Sequence, residues 1–305
     1  MTKTFTDILI IGAGISGIHL ANLIKLSHKK ILLIDKAKGL GGRLATRRVN
    51  DLGIDHGLQY FKESEEITTH LQEWSRKGWL THVEQGFVSP LGMTSLIKKM
   101  ADGLDILKSQ RASRIYQDKQ WIVETDEGMV IEAQTVILTA PLPQASELLS
   151  ASMLIPFGLS NILKDYQYDK SLLGIFVADN IPAHLKSFEK EGNQLILMRE
   201  KNLYPQAFLY ILSPERTEEI YSQSDHRCLE IIQKQALSDI KMDLAFTHAE
   251  LKRWRYAKAR TALASPFLEV QKNLFLIGDS FLSPDVTGSI LSAEALAHHL
   301  FPNLE

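Results

Sequence analysis

Residues 11–17 read Ile11-Gly12-Ala13-Gly14-Ile15-Ser16-Gly17, and Asp35 follows 18 positions after Gly17, closing a second apolar run, Ile31-Leu32-Leu33-Ile34. This is a dinucleotide-binding fingerprint in its proper setting: apolar strand, glycine turn, helix, strand, acid. Gly12 permits the tight turn, Gly14 lets backbone N–H groups approach a pyrophosphate, and Gly17 lets the helix pack on the strand. The helix N-terminus, beginning at Ile15 and Ser16, favours the anion, while Asp35, with Lys36 beside it, can accept from a ribose hydroxyl. The fold expected is α/β, built on a Rossmann-like domain.

The bulk numbers bound the rest. The chain has 305 residues, 45% hydrophobic and 23% charged, enough for one large or two medium domains. A formal net charge of −2 gives no general pull toward nucleic acid or anionic membrane. No apolar run approaches the roughly 18 residues needed to span a bilayer. Ile8–Ile11 is read as the first strand, not as part of a signal peptide. The single cysteine, Cys228, excludes an internal disulfide and a Cys-based metal site, and points to a reducing, cytoplasmic setting. His298-His299 lack the companions of a metal site, and no metal is expected.

Along the chain, helices are expected at about 15–26, 68–78 and 92–101. The last two bury Leu71 and Trp74, and Met93, Leu96, Ile97 and Met100. Strands 121–125 and 129–133 flank the hairpin signal Asp126-Glu127-Gly128, and an apolar strand 135–140 stops before Pro141. Residues 151–250 change character: strands near 172–178, 194–199 and 207–212, then one long helix over 217–240. Another apolar strand, 273–279, ends in Gly278-Asp279 and precedes a helix rich in Ala and Leu. The expected organisation is a discontinuous FAD-binding domain (1–62, 90–150 and 250–305) interrupted by an α+β substrate domain (63–89 and 151–249).

FAD is favoured over NAD by a second glycine cluster, Gly39-Leu40-Gly41-Gly42-Arg43. A larger cofactor needs a second backbone approach and a cation near its phosphates, which Arg43 can supply. Gly278 lets backbone pass close to a ligand at the carboxyl end of a strand, with Asp279 next to it. The helix that follows, starting near Thr287 or Gly288, can aim its positive end at a flavin carbonyl.

These elements, in this order, resemble the monoamine oxidase-type FAD oxidoreductases of the glutathione reductase/amine oxidase fold. Four stretches are most similar to the renalase-like members. They are Asp55-His56-Gly57-Leu58-Gln59-Tyr60-Phe61, Gly92-Met93-Thr94-Ser95-Leu96, Leu138-Thr139-Ala140-Pro141-x-Pro143-Gln144 and Arg253-Trp254-Arg255-Tyr256-Ala257. The likeness covers both ends of the chain and leaves 151–245 largely unmatched. It also shows a departure. Relatives carry Glu-Gly-Ala in the flavin helix, whereas this chain has Asp285-Val286-Thr287-Gly288-Ser289-Ile290, with the acid displaced.

The resemblance implies non-covalent FAD, since no cysteine lies near that helix. It implies hydride transfer from an isomeric dihydro-NAD(P) to flavin, with O2 as acceptor and peroxide as product. An amine oxidase on another substrate, or a flavin- or dinucleotide-binding protein without turnover, are the alternatives. It places His56, Gln59 and Tyr60 at the flavin ring, Gly57 and Leu58 along it, Gly288, Ser289 and Ile290 on the helix facing it, and the Arg114-Ile115 backbone near the adenine. His56 is equally readable as a structural hydrogen-bonding residue, and Tyr60 as a core aromatic. The stretch Lys252–Arg260 reads as a strand with Trp254 and Tyr256 on one side and Arg253 and Arg255 on the other. Arg255 is a candidate for a substrate pyrophosphate. The expected partners are a small molecule and O2, with neither nucleic acid nor membrane.

Overall fold

A computed structural model describes residues 3–304 apart from 156, 157, 159, 161, 164 and 165. The chain opens β1 (Lys3–Ile11), α1 (Ile15–Ile24), β2 (Ile31–Asp35), then the hairpin β3 (Thr46–Val49) and β4 (Leu52–Asp55). Next come α2 (Thr68–Arg76), β5 (Thr81–Val83), β6 (Gly86–Val88), α3 (Met93–Met100) and β7 (Ile106–Lys108). A meander follows: β8 (Ala112–Gln117), β9 (Trp121–Thr125) and β10 (Val130–Leu138), leading into α4 (Leu142–Ala151).

The middle of the chain forms β11 (Tyr168–Ala178), β12 (Phe188–Lys190), β13 (Asn193–Leu197), β14 (Ala207–Ile211), α5 (Pro214–Ile220), α6 (Asp225–Ile240) and β15 (Phe246–Ala259). The chain closes with β16 (Leu268–Gln271), β17 (Leu274–Leu276) and α7 (Val286–Leu300).

Two sheets organise these elements. The first has the order β16-β17-β10-β1-β2-β7, with β9 on β10 and β8 on β9. Its central pairs β10–β1, β1–β2, β2–β7 and β10–β17 are parallel, so the carboxyl ends of Ile11, Ile34 and Leu138 line up. From β1 the chain passes to β2 on one side, while β10 lies on the other, which places a topological switch point just beyond Ile11. Both faces are covered, as an apolar parallel sheet requires. Ile8, Ile10 and Leu33 pack with α1, α2, α3 and α7, whereas Leu9, Leu32 and Ile34 pack with α4 and the β8–β9 meander. Each fully buried Ile or Leu contributes about 1.5–3 kcal/mol.

The second sheet, β12-β13-β14-β11-β15, is antiparallel. Alternation along β11 splits its side chains by face. Leu172, Phe176 and Ala178 pack with Ile232 and Ala236 of α6, while Leu173, Ile175 and Val177 pack with Ile54, Met198 and Leu203. The face away from the helices therefore meets the β4 end, and the segment that follows Asp55 is held between the sheets.

Three sequence expectations change. The boundary at 250 falls inside β15, which pairs with β11 from Phe246 to Ala259; the chain rejoins the first sheet only at Leu268. Residues 217–240 are not one helix. Ser213 and Ser224 each cap a helix, accepting from the N–H groups of Arg216 and Arg227, and Arg253 donates to the carbonyls of Tyr221 and Gln223 in the break. The strands expected at 129–133 and 135–140 are one nine-residue strand. Its first half pairs with β9 and its second half with β17. No helix among the described residues is long and apolar enough to cross a membrane.

Candidate functional site

The glycine turn between β1 and α1 sits at the switch point. Gly12 N–H donates to Ile34 O at 2.8 Å, and Thr139 N–H donates to Ile11 O at 3.0 Å. Gly12 has φ +120°, and a Cβ there would fall 2.2 Å from Thr139 Oγ1, so no other residue fits. Gly14 differs: a Cβ there would meet nothing within 4 Å. The space over Gly14 is open, where the fingerprint requires a pyrophosphate to approach. Gly17 and Ser16 are buried in the first turns of α1, with Ile15.

The second glycine cluster docks on the first. Gly41 N–H donates to Ala13 O at 3.0 Å, and Gly14 bridges Gly41 in parallel. Gly42 lies over Gly14, its missing Cβ 3.5 Å from the Gly14 Cα. Asp35 closes the other side: its carboxylate accepts from Ala13 N–H and from Ala37 N–H, both at 2.7 Å. The two bonds hold the acid beside the turn and leave further lone pairs for a hydroxyl. Lys36 reaches Gln144 at 3.1 Å on the surface.

Arg43 joins the two ends of the chain. Its Nη1 donates to Asp279 Oδ2 at 2.5 Å, while Tyr168 OH donates to Asp279 Oδ1 at 2.9 Å. Asp279 is buried and the guanidinium lies 5.8 Å from the Tyr168 ring centre. The cation expected beside phosphates is thus engaged by the acid of the third motif. Gly278 N–H donates to Ser292 Oγ at 3.2 Å, and Gly278 abuts Thr139 O.

The segment from Asp55 to Phe61 runs beside these elements. His56 N–H donates to Ala45 O at 2.9 Å and Leu58 N–H to Arg43 O at 2.8 Å. Gly57 is pressed between them, where a Cβ would lie 1.9 Å from Arg43 O. The segment is anchored by Asp55, a fully buried carboxylate with three donors: Thr46 Oγ1 at 2.6 Å, Met93 N–H at 2.8 Å and Lys201 Nζ at 2.6 Å. Lys201 is itself 0% exposed; burial pulls its ammonium below its ordinary pKa, with Asp55 opposing. Lys201 also donates to Gln59 Oε1 at 3.3 Å, and the Gln59 amide donates to Asp55 O and Gly57 O. Gln59 therefore shapes the loop with every polar atom engaged.

His56 and Tyr60 are different. The His56 ring stacks on Trp254 of β15 (5.6 Å, 25°), whose Nε1–H donates to His56 O at 2.9 Å. His56 Nδ1 and Tyr60 OH are buried without a hydrogen-bond partner. Burial, aided by Lys252, pulls His56 down to about 4, and burial pushes Tyr60 up to about 12. Both are neutral near pH 7. Buried polar atoms without partners are uncommon and call for a reason.

Two stretches at the periphery are engaged within the protein. The N-terminus of α7 is not free to face a ligand with all its donors: Asp285 Oδ1 accepts from Thr287 N–H at 2.8 Å and Gly288 N–H at 3.4 Å. The displaced acid is the helix cap, which offsets the positive end. Gly288, Ser289 and Ile290 are buried in the first turn, Gly288 against the carbonyls of Phe281 and Ser283. The Arg114-Ile115 backbone is not open at Ile115, whose N–H donates to Ser152 Oγ at 2.9 Å, while Arg114 folds over the Tyr116 ring. Ser109 and Gln110 lie beside the acid strand, donating to Ala37 O and Asp35 O. Arg255 is largely exposed, its nearest carboxylate being Glu147 at 3.9 Å.

Lys201, Thr139 and Tyr168 were absent from the expected set. An isolated lysine in a polar loop carries no sequence signal, and Tyr168 and Thr139 are placed by pairing of strands distant in sequence.

The residues present suit a flavin dinucleotide: a turn with open space over Gly14, an acid beside it, and two buried polar atoms without partners on the flanking loop.

Comparison with known proteins agrees with this geometry. Residues 10–74 match the NAD(P)-binding Rossmann-like domain family. Mouse (Mus musculus) renalase is 30% identical over 166 residues, covering 46% of this chain and 48% of renalase. The 2-oxo-Delta(3)-4,5,5-trimethylcyclopentenylacetyl-CoA monooxygenase of Pseudomonas putida is 27% identical over 147 residues, covering 45% of this chain and 25% of that enzyme. The matches thus span half or less of these relatives. Over nearly its whole length the chain superposes on a candidate protoporphyrinogen oxidase from Exiguobacterium sp. 255-15, with TM-score 0.78, 12% identity and 98% of both chains covered. Residues 10–74 thus match an NAD(P)-binding Rossmann-like domain, and the chain is similar in sequence to renalase over its matched part and similar in fold to that oxidase throughout.

Proposed function

We propose that this chain is a renalase-like oxidoreductase that binds FAD without a covalent bond and oxidises an isomeric dihydronicotinamide dinucleotide, with dioxygen as final acceptor. The observation that carries the reading is the meeting of the separated glycine motifs. Gly14 touches Gly41 and Arg43 holds Asp279, so three stretches distant in sequence meet in pairs around the glycine turn and the Asp55–Phe61 loop. On this reading, the Gly12–Gly17 turn and the start of α1 hold the pyrophosphate, Asp35 the ribose, and the His56–Tyr60 loop the ring system. When bound, the flavin supplies a hydride acceptor.

The chain's own residues suit a donor that needs no prior deprotonation. His56, held at about 4, is a weak base near pH 7, and Tyr60, at about 12, keeps its proton. Lys201 is enclosed with Asp55. Neither His56 nor Tyr60 is poised to take a proton near neutral pH. A dihydronicotinamide surrenders hydride directly, whereas an ammonium substrate must first lose a proton.

The test is an anaerobic visible spectrum of the purified protein before and after adding isomeric dihydro-NAD(P). Rapid bleaching of the flavin band, restored by air, is expected. A band that stays oxidised with these donors but bleaches with amines would replace the substrate assignment. A protein that neither carries nor takes up FAD would end the flavin reading altogether.

A further inference from the structure

α1, α2 and α7 bring three ligand-bearing side chains together. His19 Nε2 lies 3.5 Å from Glu294 Oε1, and His70 Nε2 is in short contact with the same oxygen. One ligand atom from each residue lies within 4.8 Å of the others. His19 is 5% exposed and its Nε2 is buried without a hydrogen-bond partner. His70 and Glu294 are partly open to solvent, which gives an ion a way in.

The rings are held by packing. Trp74 stacks on His70 (5.7 Å, 29°) and meets His19 edge-on (6.4 Å, 87°), and the two imidazoles stand at 86° to each other. The perpendicular rings bring both Nε2 atoms to one carboxylate oxygen, His70 through a short hydrogen bond and His19 at 3.5 Å, a grouping in which an ion can take the place of the shared proton. In a tetrahedral site with bonds of about 2.1 Å, neighbouring ligand atoms stand roughly 3.4 Å apart. The His19–Glu294 spacing already has that value, and the remaining two need only side-chain adjustment.

We propose that His19, His70 and Glu294 form a site for a divalent transition-metal ion, with a fourth position open to water. Two imidazole nitrogens and one carboxylate suit zinc and its first-row neighbours and suit magnesium or calcium poorly. The ion ties α1, α2 and α7 together through one residue of each. Its role is to fasten the three helices.

The test uses the whole, untagged, flavin-loaded protein, stripped with a chelator and titrated calorimetrically with zinc chloride, with magnesium chloride as the control. We expect stoichiometric zinc binding, no magnesium binding and a higher unfolding midpoint with zinc. Binding should be lost in His70→Ala and at least tenfold weaker in Glu294→Gln. Glu294→Gln keeps shape and lies on the partly exposed side, so it decides the matter if His70→Ala fails to fold. Absence of stoichiometric binding, or equal binding by the parent and Glu294→Gln, would overturn the proposal and leave a proton-linked His70–Glu294 pair.

Discussion

Replacing Lys201 by Met tests whether the Asp55–Lys201 pair holds the loop that carries His56 and Tyr60. The two side chains are 0% exposed and 2.6 Å apart. At an effective dielectric constant of about 20, charges at that distance attract by roughly 6 kcal/mol, most of it offset by the cost of removing both from water. Removing one partner leaves that cost without the attraction, and such losses run to about 3–5 kcal/mol. Asp55 would keep its bonds from Thr46 Oγ1 and Met93 N–H, so the lower end, about 3 kcal/mol, is expected. For a chain of this size that corresponds to roughly 5 °C in the unfolding midpoint. The assay is urea unfolding followed by far-UV circular dichroism, run on Lys201→Met, Asp55→Asn and the double variant. Because the sites share one interaction, the double variant should be more stable than Lys201→Met alone. A single variant within about 1 kcal/mol of the parent, or a double variant no better than Lys201→Met, would refute the argument.

Gly12→Ala and Gly14→Ala should part company. The first meets Thr139 Oγ1 at 2.2 Å and should fail to fold, while the second meets nothing within 4 Å and should fold but release flavin on gel filtration. His56 sets a pH dependence. Its unfolded value is about 6.5 and its folded value about 4, so the unfolded chain binds the extra proton and stability should fall as pH drops from about 6.5 to about 4. In His56→Gln that part of the slope should vanish from a series of urea titrations, and an unchanged slope counts against a neutral buried ring. Tyr60→Phe removes a hydroxyl without a partner, whereas Tyr168→Phe removes one bonded to Asp279 and Ser280. Only the second should lower stability in unfolding experiments, by about 1–3 kcal/mol.

The β1-α1-β2 unit was legible because each of its parts is local: an apolar strand, fixed glycines and an acid at fixed spacing. The strands β11, β13 and β14 were legible as apolar runs within a few residues of their ends. What was hidden depends on pairing at long range. Arg43 and Asp279 stand 236 positions apart, and nothing local marks them as partners. Asp55 looks like part of a loop motif until Lys201 is placed against it. The break between α5 and α6 did carry a signal in Ser224-Asp225, a second cap sequence after the one at Ser213-Pro214 that opens α5. The acid at Asp285 was visible as a displaced residue, but its use as a helix cap follows only from the start of α7 at Val286.

The insertion of β17 beside β10 and of α7 beside α1 has a bearing on how the protein is made. When a ribosome has delivered the first 260 residues, the turn at Gly12, the Gly41 loop and the Arg43 side chain are present, but β10 still shows an unpaired edge along Val136–Leu138 and Asp279 has not yet emerged. An open parallel edge in an apolar sheet invites association with other chains. Arg43 therefore gains its acid, and β10 its partner, only once β17 and the turn after it are made, and until then that edge stays open to association.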